Sequence, residues 1–399
     1  MNQTNHDPSG PYDGREQTLV KHFILENYLA KFAHIIGYWA DTITYVDCFA
    51  GPWNVQSDNL SDSSFSIALK QLRKAKSDLA AHDRSPSLRC FFLERNQEAY
   101  QYLQRFAADT TDAHIETRNA ALKQSVTDIA DFVKRGGASS FSFIFVDPTG
   151  WTGLAMDVIT PLLRLRPGEV LVNFMTGHIL RFAGHPDPAI SKTFDRLFGS
   201  IDYRSRISNL VGQDREDALV RCYMDAIRET GEFDYVCSTV ILNPCKDRTH
   251  FHLIYATRHS KGVEEFKRTE RKAIPFMEQA RDQAQKRLRF TKTGQRELPF
   301  GNATMNVGDY CEHLRERYLM MARDDVDGML TQHGRVRYDD AWAAALQFPL
   351  VWDSDIKGWI KEWTREGIVD VEGLKKGQRV PKLREGHSLI RVAKDPGTE

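Results

Sequence analysis

The sequence predicts an α/β protein: five parallel strands finished by an antiparallel hairpin, with a smaller module attached behind them. Three observations carry this. Short apolar runs alternate with helix-period segments through the first half of the chain, which implies parallel strands with helices on both faces. The last two runs, 235–242 and 250–257, are separated by only seven residues, among them Pro244. That is too short for a crossover helix, so those two strands pair as a hairpin. From residue 307 onward the order changes to three helices and a hairpin within fewer than 100 residues.

The bulk composition agrees with a soluble protein that has a real core. The chain has 399 residues, which suggests two or three domains, with 41% hydrophobic and 27% charged residues. Lys+Arg and Asp+Glu both total 54, so any nucleic-acid surface must arise from local clustering. The six cysteines (Cys48, Cys90, Cys222, Cys237, Cys245 and Cys311) contain no C-x-x-C pair, and no metal is expected. Cys48 and Cys90 sit in apolar runs, as reduced buried thiols do. Residues 1–15 read as a polar, disordered leader without a signal peptide. No apolar stretch approaches the ~20 residues of a membrane span. A cytoplasmic location without membrane contact is the expectation.

Taken in order, the opening segment carries Leu19, Phe23, Tyr28, Phe32 and Ile35 at helical spacing, so an amphipathic helix precedes the sheet. Strands are predicted at 42–47, 88–94, 114–117, 141–147 and 169–175, with helices at 64–74, 96–107, 122–134 and 156–164 between them. An α/β domain over 16–270 results, with a helical insertion at 177–232, where substrate-recognising insertions collect in open sheets. Residues 271–306 read as a bridge. In the tail, helices near 310–330 and from Asp339 flank a short β run at 335–338. A third helix starts behind Asp353 as N-cap and carries Ile356, Trp359, Ile360 and Trp363 on one face. With strands at 368–371 and 389–392, residues 307–399 have a winged-helix-like outline. Five parallel strands with a terminal hairpin form the pattern of the Rossmann-like sheet of S-adenosylmethionine (SAM)-dependent methyltransferases.

Four segments carry chemistry. After the first strand, Gly51 permits close approach of backbone to a nucleotide-type ligand, and Pro52 stiffens the turn. Glu94 ends the second strand, where a carboxylate can accept both ribose hydroxyls, although a solvated strand end reads the same way. It stands 47 positions after Asp47, against about 20 in compact dinucleotide folds, and the long 54–87 connection absorbs the difference. Asn119 follows the third strand, where its amide suits the edge of an adenine ring. Asp147-Pro148-Thr149-Gly150 is a good type I turn on its own account. At the rim of a crevice it also suits chemistry on a planar amine. The Asp147 carboxylate and the Pro148 carbonyl would each accept one N–H, and Trp151 would stack on the ring, a contact of roughly 1–3 kcal/mol. His250 and His252 alternate along a strand with no acidic neighbour in sequence, which fits packed or surface histidines.

The tail is locally basic. Lys375, Lys376, Arg379, Lys382 and Arg384 fall within ten residues lacking any acid, and Lys357, Lys361 and Arg365 punctuate the helix before them. Such a run is either a solvated loop or a phosphate-contacting wing.

The chain resembles the three-Cys-motif partner (TcmP) family. The resemblance rests on Lys21-His22-Phe23-Ile24-Leu25 with Tyr28-Leu29, on Tyr45-Val46-Asp47-Cys48-Phe49-Ala50-Gly51-Pro52, on Phe145-Val146-Asp147-Pro148-Thr149-Gly150-Trp151, and on Tyr255-Ala256-Thr257-Arg258-His259. More distantly, the Asp-Phe-Ala-Gly and Asp-Pro elements are similar to those of adenine-N6 methyltransferases. The resemblance implies Asp47, Phe49 and Gly51 at the methionine end of SAM, Glu94 at its ribose, and Asp147 with Pro148 beside the transferred methyl. It also implies a radical-SAM-like three-Cys-motif protein as partner. Trp53 stands where methyltransferases often carry a second glycine, and Thr149-Gly150 replaces their Pro-aromatic pair.

Two functions are therefore expected. One is a SAM-dependent methyltransferase acting on a nucleic acid, DNA or RNA, or on a base-like amine. The alternative is a catalytically degenerate methyltransferase-fold scaffold that binds a companion enzyme and nucleic acid.

Overall fold

The computed structural model describes residues 12–51, 62–293 and 307–392. The chain divides into two compact units, Met1–Val236 with Val240–Thr304, and Cys237–Thr239 with Met305–Glu399.

The first unit holds α1 (Glu16–Gly37), β1 (Thr42–Asp47), α2 (Ser64–Ala80), β2 (Ser87–Glu94), α3 (Gln97–Ala108), β3 (His114–Asn119), α4 (Leu122–Lys134), β4 (Ser140–Val146), α5 (Met156–Leu163) and β5 (Gly168–Phe174). The insertion follows as α6 (Thr176–Phe182), α7 (Pro188–Phe198), α8 (Tyr203–Ile207) and α9 (Gly212–Gly231). β6 (Tyr235–Leu242), β7 (Thr249–Thr257) and α10 (Ser260–Thr293) complete the run. The seven-stranded sheet has the order β3-β2-β1-β4-β5-β7-β6. β1 pairs in parallel with β2 and β4, and β5 pairs antiparallel with β7. The Asn243 N–H donates to the Arg248 carbonyl at 2.9 Å and closes the β6–β7 connection.

Strand alternation splits the core. Val46, Ile144 and Val146 face a cluster with Val126 and Ile129 of α4, Ile159 of α5 and Tyr223 of α9. On the other face, Tyr45 and Phe143 stack at 6.1 Å, and Tyr28 and Phe32 of α1 meet Phe143 at 5.7 and 5.3 Å. The buried stripe of α1 runs through Val20, Ile24, Leu25, Tyr28, Leu29, Phe32 and Ile36. Leu19, Phe23 and Ile35 are therefore not its core face. Phe23 instead stacks on Phe276 of α10 at 4.4 Å, and Ile35 is exposed. A helix pressed between a sheet and a second helix buries two sides, which one apolar stripe does not reveal.

The same contact bears on residues 271–293 of the expected bridge, whose remainder, 294–306, lies outside the described residues. Residues 271–293 continue α10 without a break and pack on α1, where Arg287 also pairs with Glu16. Their high charge marks the solvent face of a long helix.

In the second unit, α11 (Val307–His333) is followed by β8 (Arg335–Arg337), α12 (Tyr338–Leu346), α13 (Asp353–Arg365), β9 (Val369–Glu372) and β10 (Ser388–Arg391). The strands form a sheet in the order β8-β10-β9, with β10 antiparallel to both neighbours. Ile356, Trp359, Ile360 and Trp363 are the buried face of α13, as the spacing predicts. Asp353 is the first helical residue, not the cap. Trp352 occupies the cap, and its N–H donates to Asp355 Oδ2 at 2.8 Å.

Candidate functional site

The C-terminal ends of β1, β2, β4 and β5 open on one cavity of about 680 Å3. In open α/β sheets ligands bind beyond these ends, where the strand order reverses, and here β1 and β4 flank that reversal. Gly51, Glu94 and Asp147 all line the cavity, as do Phe49, Pro148, Thr149 and Gly150. Three segments far apart in sequence thus share one surface. Pro52 and Trp53 lie outside the described residues.

Asp47 sits beneath this surface, fully buried at the end of β1. Its Oδ1 accepts from the Phe49 N–H at 3.1 Å and its Oδ2 from the Ser64 hydroxyl at 2.6 Å. The carboxylate thereby fixes the turn that carries Phe49 toward Gly51. Burial pushes the Asp47 carboxyl up to about 6, with the Ser64 and Phe49 donors opposing that rise and the Asp147 charge adding to it.

Asp147 follows β4. The Lys21 ammonium of α1 donates to its Oδ2, and Asn173 Nδ2, from β5, donates to its Oδ1 at 2.6 Å. Lys21 and Asp147 are mostly buried, so this ion pair gains from low local dielectric but also resists disruption. The Asn173 Oδ1 is buried and has no hydrogen-bond partner. Since buried acceptors are nearly always paired, an orphan on the wall of a cavity marks a place for a ligand donor or a water. The chain bends at residues 149–151, and residues 147–150 do not form the hydrogen-bonded turn that their composition suggests.

Glu94 is buried at the end of β2, where one oxygen accepts from the Asn96 N–H at 2.5 Å. Asn119 donates from Nδ2 to the Glu94 carbonyl at 2.9 Å and ties the ends of β2 and β3 together. The adjoining rim of the cavity is built by Ala120, Ala121, Leu122 and Lys123, and Asn119 is not part of it. Trp151 also departs from expectation. Its ring packs on Phe182 of α6 at 5.0 Å and Phe194 of α7 at 5.7 Å, and its Nε1 donates to Thr193 at 3.4 Å. It anchors the helical insertion instead of facing the cavity, because that insertion offers it an aromatic seat.

His22 also lines the cavity, with its Nδ1 bonded to the Tyr12 hydroxyl at 2.9 Å. Burial, with help from the Lys21 and Arg15 charges, holds its pKa well below the usual histidine value. Arg258 serves structure: its guanidinium donates to the carbonyls of Leu163, Leu165, Gly168, Gly231 and Glu232. Among the described residues no three His, Cys, Asp or Glu side chains gather as a metal site. No described helix is long and apolar enough to cross a membrane.

The tail cations are arranged as follows. Lys361 and Arg365 stand exposed on α13, while Lys357 pairs with Asp353 at 2.6 Å. Lys375, Lys376, Arg379, Lys382 and Arg384 lie in the β9–β10 connection, with Lys375 near Glu385 at 3.5 Å.

No family model and no curated protein matches the sequence. Among solved structures the chain is similar to a Legionella pneumophila protein of family model DUF519, at 10% identity over 61% of this chain and 85% of that one, with a TM-score of 0.34. It is similar to a methyltransferase candidate from Thermobifida fusca at 14% identity, 62% and 83% coverage, and a TM-score of 0.34. It is also similar to loganic acid methyltransferase with SAH, at 9% identity, 79% and 92% coverage, and a TM-score of 0.31. The class rests on the strand order itself. A sheet ordered 3-2-1-4-5-7-6, with its seventh strand antiparallel and its cavity at the reversal, has the methyltransferase-type Rossmann-like fold.

Proposed function

We propose that the chain is a SAM-dependent methyltransferase acting on a nucleic acid or a base-like amine. The single observation that carries this is the shared cavity of Gly51, Glu94 and Asp147. Its volume falls in the range of roughly 300–1,000 Å3 typical of small-molecule and cofactor sites. Phe49 and Gly51 would receive the methionine end of SAM, held in place by Asp47, and Glu94 would accept from the ribose hydroxyls. When bound, SAM supplies an electrophilic methyl group.

The residues around Asp147 would do the rest. Lys21 and Asn173 fix the carboxylate, which accepts one N–H of the acceptor amine while the Pro148 carbonyl accepts another. Holding the amine lone pair in line is chiefly catalysis by proximity. A nucleic-acid acceptor is supported by the cations at the rim: Arg95 and Lys123 line the cavity with no ion-pair partner among the described residues. The second unit supports it too, since its element order suits a winged helix with Lys361, Lys376, Arg379 and Lys382 exposed. The test is transfer of label from methyl-labelled SAM to RNA or DNA. Transfer by the wild type and its loss in Asp147→Ala support the proposal, and equal transfer by both contradicts it.

One observation favours the alternative, a scaffold of the TcmP type working with a radical-SAM-like three-Cys-motif protein. Both Asp147 oxygens already accept hydrogen bonds within the chain. On that reading Asp147→Ala leaves cellular function intact, and removal of residues 307–399 abolishes it.

A further inference from the structure

A second cavity, of about 260 Å3, lies at the opposite end of the strands and shares no lining residue with the first. It is enclosed by the C-terminal half of α1, the beginnings of β4 and β5, and the first turn of α10. Its wall is aromatic and aliphatic, from Phe32, Ile36, Phe141 and the half-exposed Trp39 at the mouth. At its inner end is Glu169, a buried carboxyl group.

The partners of Glu169 are all hydroxyls. Tyr28 donates to Oε2 at 2.6 Å and Thr257 donates to Oε1 at 3.1 Å, while the Tyr28 and Tyr255 hydroxyls meet at 2.5 Å. Among the described residues no cation pairs with Glu169: the Lys261 ammonium nearby is held by Glu264 and Glu265 at 3.0 Å each. The first turn of α10 is shaped to approach this group, since a Cβ at Gly262 would stand 2.2 Å from the Tyr255 hydroxyl and 2.8 Å from Glu169. Burial raises the Glu169 carboxyl above its ordinary value, and the hydroxyls only partly oppose this. A buried acid without a cation is an energetic cost that a positively charged guest would offset. Aromatic walls favour the same guest through cation–π attraction.

We propose that this cavity binds a small organic ammonium with an aromatic or aliphatic body, its nitrogen at Glu169 and its apolar part against Phe32, Phe141 and Trp39. The site is independent of the proposed methyl transfer, so SAM binding and amine binding fail or succeed separately.

The test is calorimetric titration of the full chain with 2-phenylethylammonium and, in parallel, with the neutral 2-phenylethanol. The ammonium should bind more tightly by about ten-fold or more, the scale of one hydrogen bond to a charged group. Glu169→Gln should remove that preference. Trp39→Ala, a change at a half-exposed position, should weaken ammonium binding by several-fold, roughly the scale of a lost apolar contact with the guest's body. Equal binding of ammonium and alcohol by the wild type overturns the proposal. Ammonium affinity unchanged in Trp39→Ala, or a preference surviving in folded Glu169→Gln, overturns it as well.

Discussion

Asn173 Nδ2 donates to Asp147 Oδ1 at 2.6 Å across the adjacent ends of β5 and β4. This bond and the Lys21 ammonium hold the carboxylate from two sides, so the geometry of Asp147 is set by residues 126 and 26 positions away in sequence. The central acid of the cavity is thus a product of tertiary structure, and its neighbours are open to direct test.

Asn173→Asp replaces the donor with a second carboxylate in a buried place. The unfolding free energy should fall by about 3 kcal/mol at pH 8, the scale of an uncompensated buried charge. Part of that loss should return as pH drops and the new acid protonates. Urea unfolding at pH 8 and pH 5 measures both.

Asp47 makes stability depend on pH with a definite sign. Its folded-state pKa of about 6 lies above the ordinary carboxyl value of 3.8, so the native state holds a proton that the unfolded chain has released between those values. Its contribution is therefore fully present below pH 3.8 and lost as pH rises through about 6, a change of about 3 kcal/mol. Asp47→Asn should flatten the fall in stability over that window. Ser64→Ala removes an opposing hydrogen bond and should move the Asp47 titration higher, observable by carbon NMR of the carboxyl.

Arg258→Met should cost about 3 kcal/mol or more, because several carbonyls then lose their donor at once. A folded variant with wild-type urea midpoint would refute the structural role given to this motif arginine.

The β9–β10 connection predicts a salt signature. If Lys376, Arg379 and Lys382 neutralise three phosphates, the triple alanine variant should bind duplex DNA with a log–log salt slope shallower by roughly 2.7. A binding defect of the same size at every salt concentration would point instead to local misfolding.

Much of this architecture was legible in the chain. Fully buried strands such as Thr42–Asp47 read as apolar runs, and seven residues between the last two strands left no room for a crossover. Gly51, Glu94 and Asp147 could be singled out because each follows or ends a strand. Asn173 could not, since nothing local marks its amide as a partner for an acid on the neighbouring strand. Lys21 stood out only through the resemblance, because helix residues carry no address on a distant sheet. Trp151 reads as a stacking platform in sequence, and only the fold brings Phe182 and Phe194 against it. The charge of residues 271–293 hid a helix whose buried side is Ala273, Met277, Ala280 and Ala284.

The most direct measurement of the central claim is calorimetric titration of the full chain with S-adenosylhomocysteine. The account predicts one site with a dissociation constant of about 1–100 μM, weakened at least about ten-fold in Glu94→Gln. No heat at about 1 mM ligand, or binding that is indifferent to Glu94→Gln, would contradict it.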